Sequence, residues 1–156
     1  MATNNKFIVE RTNVLAADVV VGTTYAALDS GDFGWYGKAG ETYSFHAEVV
    51  YDADGADEGA AFSITASAAP TTVQFVSEYN TDATTVVRTA CVAIDTPDHG
   101  SASVDDLNKA LVYGVITPSA DGFIEVSGVA ENASEITAKG GLSFVTWKRI
   151  DWPAEA

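Results

Sequence analysis

The sequence predicts an all-β protein, a single β-sandwich or jelly-roll-like domain, and three observations predict it. Apolar and polar residues alternate with a period of two over several stretches. The clearest is Thr42 to Tyr51, where Tyr43, Phe45, Ala47, Val49 and Tyr51 fall on one side of a strand. These stretches are rich in Val, Thr, Ile and aromatic residues, which suit a pleated, half-buried surface. Turn residues interrupt them at short intervals, and no helical heptad or internal repeat is present. Roughly eight to ten short strands follow, the pattern of a sandwich or jelly roll.

Composition sets the bounds. At 156 residues the chain is long enough to bury one core without disulfide or metal staples, and its 47% hydrophobic content excludes disorder. Eight basic residues stand against 22 acidic ones, a formal charge of −14. That balance argues against nucleic-acid partners and anionic membranes, because phosphate contact needs a basic surface. It favours solubility and repulsion between copies, and it also suits saline surroundings or a basic partner. No apolar run approaches the length of a membrane helix. The first residues, Met1 to Lys6, lack the charged-then-apolar layout of a secretory leader, so use without secretion is expected. The single cysteine, Cys91, leaves no intrachain disulfide.

Along the chain, residues 1–40 read as an N-terminal arm, 41–150 as the β-sandwich and 151–156 as a tail. Within the arm, Phe7 to Glu10 and Val14 to Val21 are short apolar segments, and Val19 to Val21 before Gly22 read as a strand and a turn. Asp29 to Gly40 reads as a glycine-rich loop with no strand in its middle, displaying Phe33, Trp35 and Tyr36. In the body, strands are expected over Thr42 to Tyr51, Ala61 to Ser67 and Thr72 to Tyr79. Another is expected over Thr84 to Ile94, apolar on both faces and therefore read as the longest and central. Asp95 to Lys109 is a polar connection, with one helical turn at Val104 capped by Ser103. Ala110 to Ala130 reads as a hairpin whose turn is Pro118 to Gly122. Proline ends a ladder, and Asp121-Gly122 supplies the positive φ that a hairpin turn requires. Ile136 to Ala138 and Leu142 to Ile150 complete the strands, and Trp152 anchors the tail.

Few residues suggest chemistry. Asp52, Asp54, Asp57 and Glu58 are the one dense carboxylate run. Calcium takes such oxygens, but the spacing is not that of an EF-hand, and a solvated acidic loop is the plainer reading. No other cofactor is suggested. His46 and His99 stand alone, without a second histidine or cysteine at zinc-ligand spacing. Cys91 lies in a Val/Ala-rich strand and reads as a buried structural thiol. No nucleophile elbow, phosphate loop or dinucleotide fingerprint is present. A glycosidase pair needs a carboxylate separation that spacing alone does not give, so a small hydrolase or lyase acting on polysaccharide has only abundant carboxylates in its favour. Large aromatics in a glycine-rich loop are interface anchors or cover one end of a sandwich. Phe33, Trp35 and Tyr36, with Phe7 and Trp152, are the candidate partner-facing residues.

The run Gly114, Ile116, Pro118, Ser119, Ala120, Gly122, followed by a strand ending near Ala130 and by Lys139-Gly140-Gly141 before the last strand, resembles a β-sandwich module of tailed-bacteriophage virion proteins. The likeness begins near Tyr43 and covers roughly residues 40–150; Gly140-Gly141-Leu142-Ser143 stands where the family usually has Gly-Ser before the last strand. It implies a non-enzymatic virion structural protein, made in the host cytoplasm and carried on the capsid surface. Its expected role is that of a capsid decoration, or cement, protein that binds the major capsid protein and stabilises contacts between capsomers. The residues before the module would lock onto neighbouring subunits, and a homotrimer matches the three-fold sites of a capsid lattice. The alternative is a head-fibre or tail-tip module that recognises host-surface glycans.

Overall fold

In a computed structural model of the chain, residues 9–82, 84–100, 102–103 and 107–150 are described. Phe7, Trp152, the helical turn expected at Val104 and the tail lie outside them. The strands are β1 (Arg11–Val14), β2 (Val19–Val20), β3 (Ala26–Ala27), β4 (Gly34–Gly37), β5 (Tyr43–Ala53) and β6 (Ala60–Ala66). They continue with β7 (Thr72–Asn80), β8 (Val86–Cys91), β9 (Asn108–Thr117), β10 (Gly122–Ala130), β11 (Ile136–Ala138) and β12 (Phe144–Arg149). All pairings are antiparallel. The large sheet runs β1-β12-β5-β9-β7-β8, with β11 extending β12 along β5 and β2 beside it. The small sheet has β10 at its centre, with β3 and β4 on one edge and β6 on the other. The two layers form a β-sandwich, as expected.

Alternation builds the core. The odd residues of β5, from Tyr43 to Tyr51, face inward, opposite Ala110, Val112 and Ile116 of β9. Ile64, Phe62, Ile124 and Val126 answer from the small sheet. Tyr51 and Phe62 meet across the layers with ring centroids 4.9 Å apart.

Three expectations are corrected. Ala110 to Ala130 is not a hairpin. Its first arm, β9, pairs with β5 and β7 in the large sheet, while its second, β10, pairs with β3, β4 and β6 in the small one. Pro118 to Gly122 therefore carries the chain from layer to layer. It is tied to the β4–β5 connection instead: Gly40 N donates to Pro118 O at 2.9 Å, and Ala39 N donates to the Asp121 carboxylate at 2.9 Å. A positive φ occurs at Gly40, not at Asp121 or Gly122.

The strand expected over Thr84 to Ile94 shrinks to β8, six residues at the edge of the large sheet. Its outward residues Val86, Arg88 and Ala90 are exposed, so apolar character on both faces did not mark a central strand. The longest strand is β5, with 11 residues. Finally, the expected arm is part of the sandwich. β1 and β2 border the large sheet, β3 and β4 border the small one, and Leu15, Val21, Leu28, Phe33 and Trp35 are all buried.

Candidate docking surface

β4 decides where the aromatic residues of the glycine-rich segment go. The segment expected to be a loop forms a strand, and a strand sends neighbours to opposite faces. Trp35 points inward and is 3% exposed. It stacks on Trp147 with centroids 5.8 Å apart and packs against Phe45 at 5.7 Å. Phe33 is fully buried. The reading of Phe33 and Trp35 as exposed anchors is therefore corrected: both are core residues. Tyr36 faces out and is 49% exposed.

Tyr36 has a partner that the sequence reading passed over. β4 and β10 place Phe123 directly opposite it, 43% exposed, with the rings edge-on at 5.4 Å. The available signal was parity: Phe123 alternates with the inward Ile124 and Val126. Lys38 Nζ lies 5.1 Å from the Tyr36 ring centroid and 2.8 Å from the Asp121 carboxylate. That hydrogen bond raises the Lys38 pKa and lowers that of Asp121. The outcome is an apolar corner on the outer face of the small sheet, with an ion pair beside it. Elsewhere that face is sealed. Asp95 N donates to Ile64 O at 3.1 Å and Gly100 N to Ala60 O at 3.3 Å, so the segment after β8 lies along β6. The Asp95 carboxylate accepts from Thr65 and Ser127 hydroxyls at 3.3 and 3.4 Å, and burial pushes its pKa up.

The carboxylate run is drawn apart. Asp52 pairs with Lys139 at 3.4 Å and accepts from Leu107 N at 2.9 Å. Glu58 accepts from Asn132 Nδ2 at 2.9 Å and shares a hydrogen bond with Glu135, which raises the Glu135 pKa and lowers that of Glu58. Asp54 and Asp57 are exposed on the loop between β5 and β6. Among the described residues, no group of three or more His, Cys, Asp or Glu side chains is placed to hold a metal ion.

Cys91 is buried, as read from its strand. His46 lies on the outer face of the large sheet, stacked on Tyr113 with centroids 5.9 Å apart, and Cys91 faces the core, so the two do not form a nucleophile–base pair. His99 is exposed in a loop. A groove of about 440 Å³ runs between the start of β7 and the end of β8, lined by Ala69, Pro70, Thr72, Val92 and Ile94 without an ionisable side chain. A depression of about 170 Å³ is bordered by Glu10, His46, Trp147 and Lys148. Among the described residues, no helix is long and apolar enough to cross a membrane.

No known protein family and no curated protein matches this chain. Among solved structures it is similar to the N-terminal CBM22-1–GH10 modules of Clostridium thermocellum endo-1,4-beta-D-xylanase 10B, complexed with xylohexaose. The identity is 13% and the TM-score 0.38, and the likeness covers 93% of this chain but 29% of that one. The β-sandwich assignment rests on the strand pairing described above.

Proposed function

We propose that this chain is a non-enzymatic virion structural protein of the tailed-phage type, a decoration protein that docks on the capsid exterior and cements neighbouring capsomers. The observation that carries the reading is the Tyr36–Phe123 corner. Two large aromatic side chains, locked edge-on by cross-strand pairing and flanked by an ion pair, stand out from an acidic molecule. Exposed rings held rigidly lose little freedom on burial, which is what an interface anchor requires. The resemblance to virion modules supplies the partner: the major capsid protein, with three copies gathered at a three-fold site of the lattice.

The same corner also bears on the second reading, a fibre or tail-tip module for host-surface glycans. An aromatic ring beside a carboxylate suits a sugar. Here Lys38 already sits over the Tyr36 ring, and that favours burial against protein over stacking of a pyranose.

The test is co-sedimentation of the purified chain with capsids that lack it. Wild-type chain is expected to bind at a fixed ratio to the major capsid protein. Phe123→Ala and Tyr36→Ala, folded by circular dichroism, are each expected to weaken binding about 10-fold or more, the effect of losing an anchor residue. Equal binding by both variants would remove the corner from the interface. No binding by wild type, with glycan binding instead, would establish the second reading.

A further inference from the structure

The outer face of the large sheet differs electrically from the rest of the molecule. Its outward strand positions carry Glu48, Asp52, Glu78, Arg88, Lys109 and Lys148, and Glu10 pairs with Lys148 at its border at 3.6 Å, so among the described residues the face holds four carboxylates and three cations, a formal charge of −1. That is a small share of the chain's −14. The charges on the face are also matched locally. Lys109 pairs with Glu48 at 2.7 Å, Arg88 with Glu78 at 3.3 Å, and Lys139 reaches Asp52 from the neighbouring turn.

Between those pairs the side chains are mostly uncharged. One cross-strand row runs Thr146, His46, Tyr113, Val76, Ala90, with Phe144 and Leu111 in the row beside it. His46 stacks on Tyr113 and tilts toward Phe144, while Arg88 lies over the Tyr113 ring and donates to its hydroxyl. Six strands about 4.8 Å apart, with runs of about six residues, give a platform of roughly 24 by 20 Å. That is of the same order as the ~800 Å² each partner buries in a standard interface.

We infer that this face is a self-association surface, the docking site for a second copy of the chain. Two copies, each at −14, repel through most of their surfaces. Approach through this face brings little net charge into contact and lets cations of one copy meet carboxylates of the other. Repulsion between the acidic loops of the two copies is screened over ~8 Å at physiological ionic strength. The inference goes beyond the capsid reading and does not need it, because self-association is measured on the isolated chain.

The test is sedimentation velocity of the full chain from about 1 to about 100 µM, the range that spans micromolar affinity. A species heavier than monomer is expected, growing with concentration and strengthened by added salt as repulsion between acidic surfaces is screened. Tyr113→Glu is expected to weaken association about 10-fold or more. Ala90→Glu, at an exposed position in the same row where folding is not at stake, is expected to do the same. Ala26→Glu, at an exposed position of β3 in the small sheet, should leave association unchanged. A monomer at every concentration would overturn the inference. So would association that weakens with salt, or that survives both row variants.

Discussion

Trp35 and Tyr36 are neighbours in sequence and opposites in environment. Both sit in a glycine-rich stretch, and nothing in composition separates a ring that fills the core from one that stands half in solvent. Strand parity separates them once β4 is known to be a strand. Trp35→Ala is therefore expected to act on stability, lowering the unfolding free energy in urea by about 3–5 kcal/mol, as large core truncations do. Phe123→Ala, at a half-exposed position, should change it by far less. Asp82 gives a second residue-scale expectation. One carboxylate oxygen accepts from Thr84 N and Thr85 N, both at 2.7 Å, and from the Thr84 hydroxyl at 2.9 Å. These bonds hold its pKa down at about 2, below the ordinary 3.8. A depressed carboxylate contributes stability above its unfolded pKa and loses it as pH falls through the folded one. The melting temperature of wild type should exceed that of Asp82→Asn at neutral pH. The gap should close between about pH 4 and about pH 2; a gap independent of pH over that window would contradict the clamp.

At the scale of elements, strand positions were largely legible and strand partners were not. β5, β7, β11 and β12 lie within a residue or two of where alternation and turn residues place them. Alternation reports that one face is buried; it does not report which strand lies alongside. Pro118 to Gly122 accordingly looks the same in sequence whether it closes a hairpin or carries the chain between layers. The apolar character of Thr84 to Ile94 has a similar ambiguity, because exposed Val86 and Val92 on an edge read like core residues. β2 falls where Val19 to Val21 read as a strand, but β1, β3 and β4 were missed because they are two to four residues long, too short to show a period. Their place in the core shows only in the sheet, where β10 collects β3 and β4 on one edge. Within the large sheet, β9 meets β7 closely at Gly114. A methyl group there would overlap the Gln74 carbonyl oxygen and the Phe75 Cα, which are backbone and cannot turn aside. Gly114→Ala is expected to destabilise by about 3 kcal/mol, the upper end of overpacking, measured by chemical denaturation.

At the scale of the whole molecule, the sequence showed a charge of −14 but not its distribution. The acid–base pairs Glu48–Lys109, Glu78–Arg88 and Asp52–Lys139 draw their partners from β5, β7, β8, β9 and the turn after β11, so the near-neutral face exists only in the folded chain. The candidate site behaved in the same way. Tyr36 was legible as an aromatic in a distinctive stretch, while Phe123 comes from a segment 87 positions away and joined it only through the β4–β10 register. The sandwich thus has one near-neutral sheet face, an opposite side ending in an aromatic corner, and acidic loops between them. The measurement that tests this account most directly is the copy number of the chain in purified parent virions, by quantitative mass spectrometry against the major capsid protein. A ratio near one-to-one, or a simple fraction of it, is the predicted result. A handful of copies per particle, or none, would contradict a lattice-wide decoration protein.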